Sequence, residues 1–223
     1  MITGRRIGLV ALAAGVALAS AAALRSGPGV GARDLPYYAD ATFTPVWGVQ
    51  GVVPANAPRV GAFSLRDQTG TTFTQADLAG RVAIVNVFYS RCGDICPITR
   101  QRLRDLASTY AVDDRVLIVS QTGTPGTDTP RRLAEFAARE GIDVRRWRLL
   151  TGADTTVRRV ARDVWHLATP PGVGWGVDTI AHTERILLVD QAGYTRGVYN
   201  GTLALELANL RADVDRLLAT PAR

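Results

Sequence analysis

The sequence predicts an α/β fold in which a central mixed β-sheet is flanked by helices. Three observations indicate this fold. The apolar, β-branched run from Val82 to Phe88 is typical of a central strand that is covered on both faces. Helical patterns alternate with short apolar runs along the chain, which indicates strand–helix–strand units. Two further runs joined by the turn sequence at 190–193 predict a β-hairpin, and an amphipathic helix follows them.

The elements can be justified in order along the chain. A hairpin is predicted over 62–73, with its turn at 67–70. The segment Thr74–Asp77 resembles a capping box that opens a short helix, which Gly80 ends. Pro97 suits the first turn of the helix after the central strand. The remaining predicted elements are a strand at Val116–Val119, a helix from Pro130 to Gly141 capped by Asp128 or Thr129, a strand at Trp147–Leu150, a helix capped by Asp154 that runs to about Trp165, the hairpin strands Ile186–Val189 and Tyr194–Tyr199, and a helix at about Leu203–Leu218. This order is that of a thioredoxin-like fold.

The chain divides into three parts. Residues 1–25 are predicted to be a signal or membrane-anchor segment, residues 26–58 a linker, and residues 59–223 the thioredoxin-like domain. Two arginines precede the apolar run Ile7–Leu24, whose length favours a retained anchor over a cleaved signal peptide. The charge bias then places the domain on the outer, periplasmic or extracytoplasmic, face. The linker is rich in glycine and proline, and its aromatic side chains are expected to pack on the domain.

The charge composition excludes several functions. All basic residues are arginine, because the sequence contains no lysine. A Walker-type phosphate lysine and a Schiff-base lysine are therefore excluded. The formal net charge is +6, but Arg5, Arg6 and Arg25 lie in the N-terminal segment without an acid, so the rest of the chain carries only +3. This surplus gives no indication of a nucleic-acid-binding surface.

The two cysteines, Cys92 and Cys96, directly follow the predicted central strand. Two neighbouring thiols can exchange electrons through a disulfide, or bind a soft metal ion as thiolates. A structural disulfide is the plain alternative in an exported protein, but a bridge across so few residues would constrain little of the unfolded chain. The strand-to-helix position predicts lowered thiol pKa values. In helical register the two Cβ atoms are about 5–6 Å apart, which suits a shared metal better than a disulfide.

His182 is the third candidate ligand, in a strand context downstream. Two thiolates and one neutral imidazole form a soft set that suits Cu(I), and that could hold Cu(II) with an added oxygen ligand. Zinc is the competing metal. The Pro- and Gly-rich segment Pro170–Gly176 is predicted to be a mobile loop that lets the histidine close on the metal and release it. His166 is expected to pack or to cap a helix end.

With these elements the chain resembles the Sco/SenC family of membrane-anchored copper proteins, which have a thioredoxin-like fold. The resemblance covers most of residues 61–218, and it departs from the family at Gln121–Gly123, where an Asp-Pro usually follows the strand. It rests on the strand and cysteine segment Val85–Pro97, the helix start Asp128–Pro130, the turn Leu150–Gly152, and the position of His182 before the hairpin glycine Gly193.

The resemblance implies that Cys92, Cys96 and His182 bind copper, as Cu(I) or Cu(II). It also implies a metallochaperone that assists assembly of the dinuclear copper centre of cytochrome c oxidase. The implied partner is cytochrome c oxidase subunit II or another copper-accepting exported protein. A second function stays open, that of a thiol-disulfide oxidoreductase that uses the redox-active pair Cys92 and Cys96 on oxidase or other exported cysteines. His182 discriminates between the two, because metal delivery needs it and dithiol exchange does not.

Overall fold

The computed structural model describes residues 35–49, 52–92, 96–167 and 184–220. The strands in chain order are β1 (Tyr37–Tyr38), β2 (Pro45–Val46), β3 (Ser64–Arg66), β4 (Thr72–Thr74), β5 (Val82–Phe88), β6 (Val116–Thr122), β7 (Trp147–Leu150), β8 (Arg185–Val189) and β9 (Thr195–Asn200). The helices are α1 (Cys96–Thr109), α2 (Pro130–Arg139), α3 (Asp154–Arg159) and α4 (Ala204–Leu218).

Five strands form one mixed sheet in the order β7–β6–β5–β8–β9. β5, β6 and β7 run parallel, whereas β8 and β9 are antiparallel to their neighbours. Val85 of β5 lies opposite Val119 of β6 on one side and Leu187 of β8 on the other. All side chains of β5 and β6 are buried, since both faces of the sheet are covered. The predicted central mixed sheet flanked by helices is therefore confirmed, with the cysteine segment at the carboxyl end of its middle strand.

The alternation of side chains along β5 divides the core into two parts. One face carries Ile84, which belongs to an apolar cluster with residues of α1, α2 and α4. The opposite face carries Val85, which belongs to a second cluster, called here the α3 cluster. The α3 cluster includes Phe63, Phe73, Val85, Val87, Leu117, Val157, Val160 and Trp165.

The helix starts follow local capping chemistry. Thr74 makes the predicted capping box. Thr129, rather than the residue before it, caps α2 by accepting from the amide of Arg132. The prediction that Asp154 caps its helix is wrong: the N-cap is Ala153, which has no suitable side chain, and Asp154 is the first helical residue. That helix continues beyond α3 as a π-helical turn at Val160–Val164.

Part of the segment predicted as linker packs on β9. Arg196 of β9 donates hydrogen bonds to the carbonyl oxygens of Leu35 (2.7 Å) and Pro36 (3.0 Å). The Arg196 guanidinium also lies 4.0 Å from the ring centroid of Tyr37, which contacts the ring of Tyr194 edge-on. The predicted signal or anchor segment, residues 1–25, lies outside the described residues. Within the described ranges, no helix is long and apolar enough to cross a membrane.

Candidate metal centre

The cysteine segment leaves the sheet at the end of β5. The amide of Cys92 donates to the carbonyl of Tyr89 (3.2 Å), which turns the chain away from the strand direction. Cys96 is the first residue of α1, and Pro97 occupies the first turn, where its missing N–H leaves no helical hydrogen bond unmade. The strand-to-helix transition predicted from the sequence is thus present.

The structure brings the two cysteines together. Both are free thiols of intermediate exposure, and both pack against the α3 cluster. Their side chains hydrogen-bond to each other. Among the described residues, no three side chains of the His, Cys, Asp or Glu type gather around one point. Of the three predicted ligands, only Cys92 and Cys96 therefore lie among the described residues.

The Cys96 thiol is held in its protonated form. Burial, together with the hydrogen bond to Cys92, raises the pKa of Cys96 to about 11, although a hydrogen bond with the backbone of Tyr89 and the charge of Arg100 oppose the change. The predicted lowering of the thiol pKa is wrong for Cys96, because desolvation and the second thiol outweigh the favourable position at a helix start.

The phenol of Tyr89 is close enough to Cys92 and Cys96 to interact electrostatically with both. Burial raises the pKa of Tyr89 to about 12, with contributions from Cys96 and Cys92 and an opposing one from Arg158. The Tyr89 ring also packs on the backbone of Gly123, where an added Cβ would lie only 2.3 Å from Cζ of the ring. The absence of a side chain at Gly123 therefore makes room for the Tyr89 ring.

A buried carboxylate anchors the start of the cysteine segment. Asp128 is 2% exposed. Its Oδ1 accepts a hydrogen bond from the hydroxyl of Ser90 (2.5 Å), and its Oδ2 accepts from those of Thr122 (2.5 Å) and Thr124 (3.0 Å). Asp128 therefore ties the residue two positions before Cys92 to the end of β6. The sequence pattern at Asp128 predicts only a helix cap and gives no sign of this role.

A small cavity of about 30 Å³ lies on the other side of Cys96, with room for about one water molecule. Three of its lining residues form a chain of hydrogen bonds: Trp147 Nε1 donates to Ser120 Oγ (2.8 Å), and Ser120 Oγ donates to Asn86 Oδ1 (2.6 Å). Asn86 Nδ2 in turn donates to the carbonyl of Val87 (3.2 Å). These three neutral groups share the cavity beside Cys96 with the charged residues Arg100 and Glu184.

The third predicted ligand, His182, lies outside the described residues, as does the predicted loop Pro170–Gly176. The complete set of Cys92, Cys96 and His182 therefore stays a prediction. His166 ends the π-helical turn with φ 55°, and its Nδ1 lies 3.1 Å from the carbonyl oxygen of Arg162, to which it donates. This is the helix-capping role predicted for it.

Comparisons with known proteins agree with the fold. A model of the SCO1/SenC family matches residues 53–219. The SCO1 protein homolog of Bacillus subtilis is 25% identical over 158 residues, which cover 70% of this chain and 80% of the relative.

Two solved structures show the same likeness. BsSco, a member of the Sco family of cytochrome c oxidase assembly proteins, aligns with a TM-score of 0.62 and 24% identity, over 74% of this chain and 96% of its own, and supports the thioredoxin-like fold. Yeast Sco1 with copper bound aligns with a TM-score of 0.53 and 26% identity, over 71% of this chain and 90% of its own. Because the family model spans most of the sequence, this chain belongs to the SCO1/SenC family.

Proposed function

We propose that this protein is a copper metallochaperone that assists assembly of the dinuclear copper centre of cytochrome c oxidase, with copper held by Cys92, Cys96 and His182. The observation that carries the proposal is the pair of free, hydrogen-bonded cysteines at the start of α1. Membership of the SCO1/SenC family supports it, as does the similar yeast Sco1, which has been solved with copper bound.

The chemistry of the thiol pair suits a cargo of Cu(I). Two thiolates are soft ligands, and a neutral imidazole from His182 would complete a three-coordinate set. Both thiols must lose their protons on binding, so copper competes with protons for Cys96, whose pKa is raised by burial. This competition lowers the net affinity, which suits a protein that has to release its metal to another site.

The proposed recipient is cytochrome c oxidase subunit II or another copper-accepting exported protein. The N-terminal run Ile7–Leu24, preceded by Arg5 and Arg6, supports attachment to a membrane with the domain on the outer face. Delivery on that face would bring the cysteine segment to a recipient that is itself exported.

The test is an anaerobic Cu(I) titration of the reduced full-length protein in detergent. We expect one tightly bound copper per chain, with affinity reduced at least about a hundredfold in Cys92→Ala and in His182→Ala, because each loses one of three ligands. His166→Ala is the matched control and should bind like the wild type. Unchanged affinity in His182→Ala, with far-UV circular dichroism like that of the wild type, would overturn the ligand set.

The second candidate, a thiol-disulfide oxidoreductase, is favoured by one observation, the direct contact of the Cys92 and Cys96 side chains. The raised pKa of Cys96 weighs against it, since the thiolate is the species that attacks a disulfide. Rapid reduction of a peptide disulfide by the copper-free protein, with equal rates in the wild type and His182→Ala, would establish this function instead.

A further inference from the structure

A pocket lined by arginines lies at the end of the sheet opposite the cysteines. It has a volume of about 170 Å³, and it is lined by Arg81, Asp114, Val116, Arg145 and Arg146. Arg81 and Arg146 immediately precede β5 and β7, and Val116 begins β6 between them. The pocket therefore sits at the amino ends of the three parallel strands, a strand length of about 20 Å from the carboxyl end of β5.

Two of the guanidinium groups at this pocket lack partners among the described residues. Nη1 of Arg146 is buried and has no hydrogen bond there. No hydrogen bond or ion pair of the Arg81 side chain occurs within those same ranges, although the side chain is half-buried. Buried polar groups in folded proteins are almost always satisfied, so an unsatisfied guanidinium nitrogen indicates a missing ligand or water.

The surrounding charges leave the pocket positive. Arg145 is paired with Asp143 (3.0 Å), and Arg115 is paired with Asp113 (2.6 Å). The carboxylates of Asp113 and Asp143 also feel the charge of Arg146, but their hydrogen bonds go to the other two arginines.

Arg81 and Arg146 therefore stand against one further lining carboxylate, that of Asp114. A guanidinium with free N–H donors binds phosphate oxygens well, because its planar fork matches their spacing.

The described chain also begins at this end of the molecule. Leu35 is held by Arg196, which is ion-paired with Asp190 in the β8–β9 turn (3.0 Å). The carbonyl of Gln191 in the same turn accepts from the amide of Gly80 (3.0 Å), the residue before Arg81. Only nine residues, 26–34, separate Leu35 from the predicted anchor segment, and nine residues span at most about 30 Å.

We propose that the pocket of Arg81, Arg145 and Arg146 binds the phosphate of an anionic phospholipid headgroup. The guanidinium groups of Arg81 and Arg146 face the phosphate, and the carboxylate of Asp114 limits the affinity. A headgroup bound here would direct the opposite end of the sheet, with Cys92 and Cys96, away from the bilayer and toward a recipient. The proposal is independent of copper binding, and a failed copper titration would leave it unaffected.

The test uses the full-length protein in nanodiscs of phosphatidylcholine alone or with 30% phosphatidylglycerol. Hydrogen exchange of the backbone amides at 113–116 and 145–147 is the readout. We expect at least threefold slower exchange in the anionic discs, and loss of this difference in Arg81→Ala and in Arg146→Ala. Asp114→Asn should enlarge it, because the variant removes a like charge from the anion site. Arg131→Ala, an exposed arginine at the start of α2, removes the same charge elsewhere and should behave like the wild type.

Three outcomes would overturn the proposal. One is equal exchange in neutral and anionic discs. Another is protection that persists in Arg81→Ala. The third is equal protection in neutral discs on addition of inorganic phosphate, which would assign the pocket to a free anion rather than to a lipid. Urea unfolding of each variant checks that the fold is retained.

Discussion

Replacement of Asp128 by asparagine tests how the cysteine segment is held. The carboxylate is buried and accepts three hydroxyl hydrogen bonds, from Ser90 to Oδ1 and from Thr122 and Thr124 to Oδ2. In Asp128→Asn one carboxylate oxygen becomes an NH₂ group, which cannot accept. At least one of the three hydroxyls then loses its acceptor. Oδ2 accepts from two hydroxyls and Oδ1 accepts only from Ser90, so an NH₂ group in place of Oδ1 breaks the fewest hydrogen bonds. Ser90 is therefore the hydroxyl that we expect to be released.

The magnitude follows from two opposing contributions. A hydrogen bond to a charged group contributes about 1.5–3 kcal/mol, and the surviving bonds weaken because the charge is gone. The neutral amide is easier to bury than a carboxylate, which offsets part of this loss. We therefore expect Asp128→Asn to lower the free energy of unfolding by about 1–3 kcal/mol. If Ser90 is released, the cysteine segment becomes less ordered before binding, and Cu(I) affinity should fall by about tenfold.

Urea unfolding and competition with a chromophoric Cu(I) chelator measure the two effects. Asp154→Asn is the control, because Asp154 is an exposed carboxylate paired with Arg158, and such pairs contribute little. Ser90→Ala should reproduce the loss of copper affinity with a smaller loss of stability, since it removes only one of the three bonds. Equal stability and equal copper affinity in Asp128→Asn and Asp154→Asn would refute this account of the segment.

Three further predictions concern separate parts of the molecule. Gly123→Ala should cost about 1–3 kcal/mol of stability in urea unfolding, because its Cβ would overlap the Tyr89 ring; a stability equal to that of the wild type would contradict this packing. The Cu(I) affinity should fall about tenfold for each pH unit from 8.5 to 6 from the protonation of Cys96 alone, because its pKa of about 11 keeps that thiol protonated over the whole range. Competition with a Cu(I) chelator measures this, and a plateau of the affinity above pH 7.5 would argue against it. Arg196→Met should lower the free energy of unfolding by about 3–5 kcal/mol, because it strands a buried carboxylate and frees the Leu35 carbonyl; protease cleavage near residue 35 should become faster, and unchanged cleavage would count against the contact.

The fold was largely predictable because its signals are local. The run Val82–Phe88 is apolar without alternation, and such a run fits only a strand covered on both faces. The capping box at Thr74 and the proline at the start of α2 are likewise read within four residues. The exception, Asp154, shows the limit of this reasoning: an acidic residue suits both the N-cap and the first turn, so the sequence alone does not separate the two.

The surroundings of the site were not predictable in the same way. Asp128 meets Ser90 across 38 positions of sequence, and nothing near either residue indicates the partner. The contact of Tyr89 with Gly123 likewise joins the ends of two neighbouring strands. The sequence contains only a weak signal of this contact, a glycine directly after a buried strand, and its physical meaning appears only once the ring is in place.

The raised pKa of Cys96 bears on the choice between the two proposed functions, metal binding and disulfide exchange. A helix start stabilises a nearby negative charge by only about 0.3–1 kcal/mol, and here the thiol is also partly buried beside a second thiol. Exchange needs one free thiolate in these surroundings, which burial disfavours. Cu(I) held by two thiolates carries a net charge of −1, the same as one free thiolate beside a thiol, so burial alone does not separate the two proposed functions. Under the proposed function, the copper–sulfur bonds would offset the burial of this charge at Cys92 and Cys96, whereas a free thiolate has no such compensation.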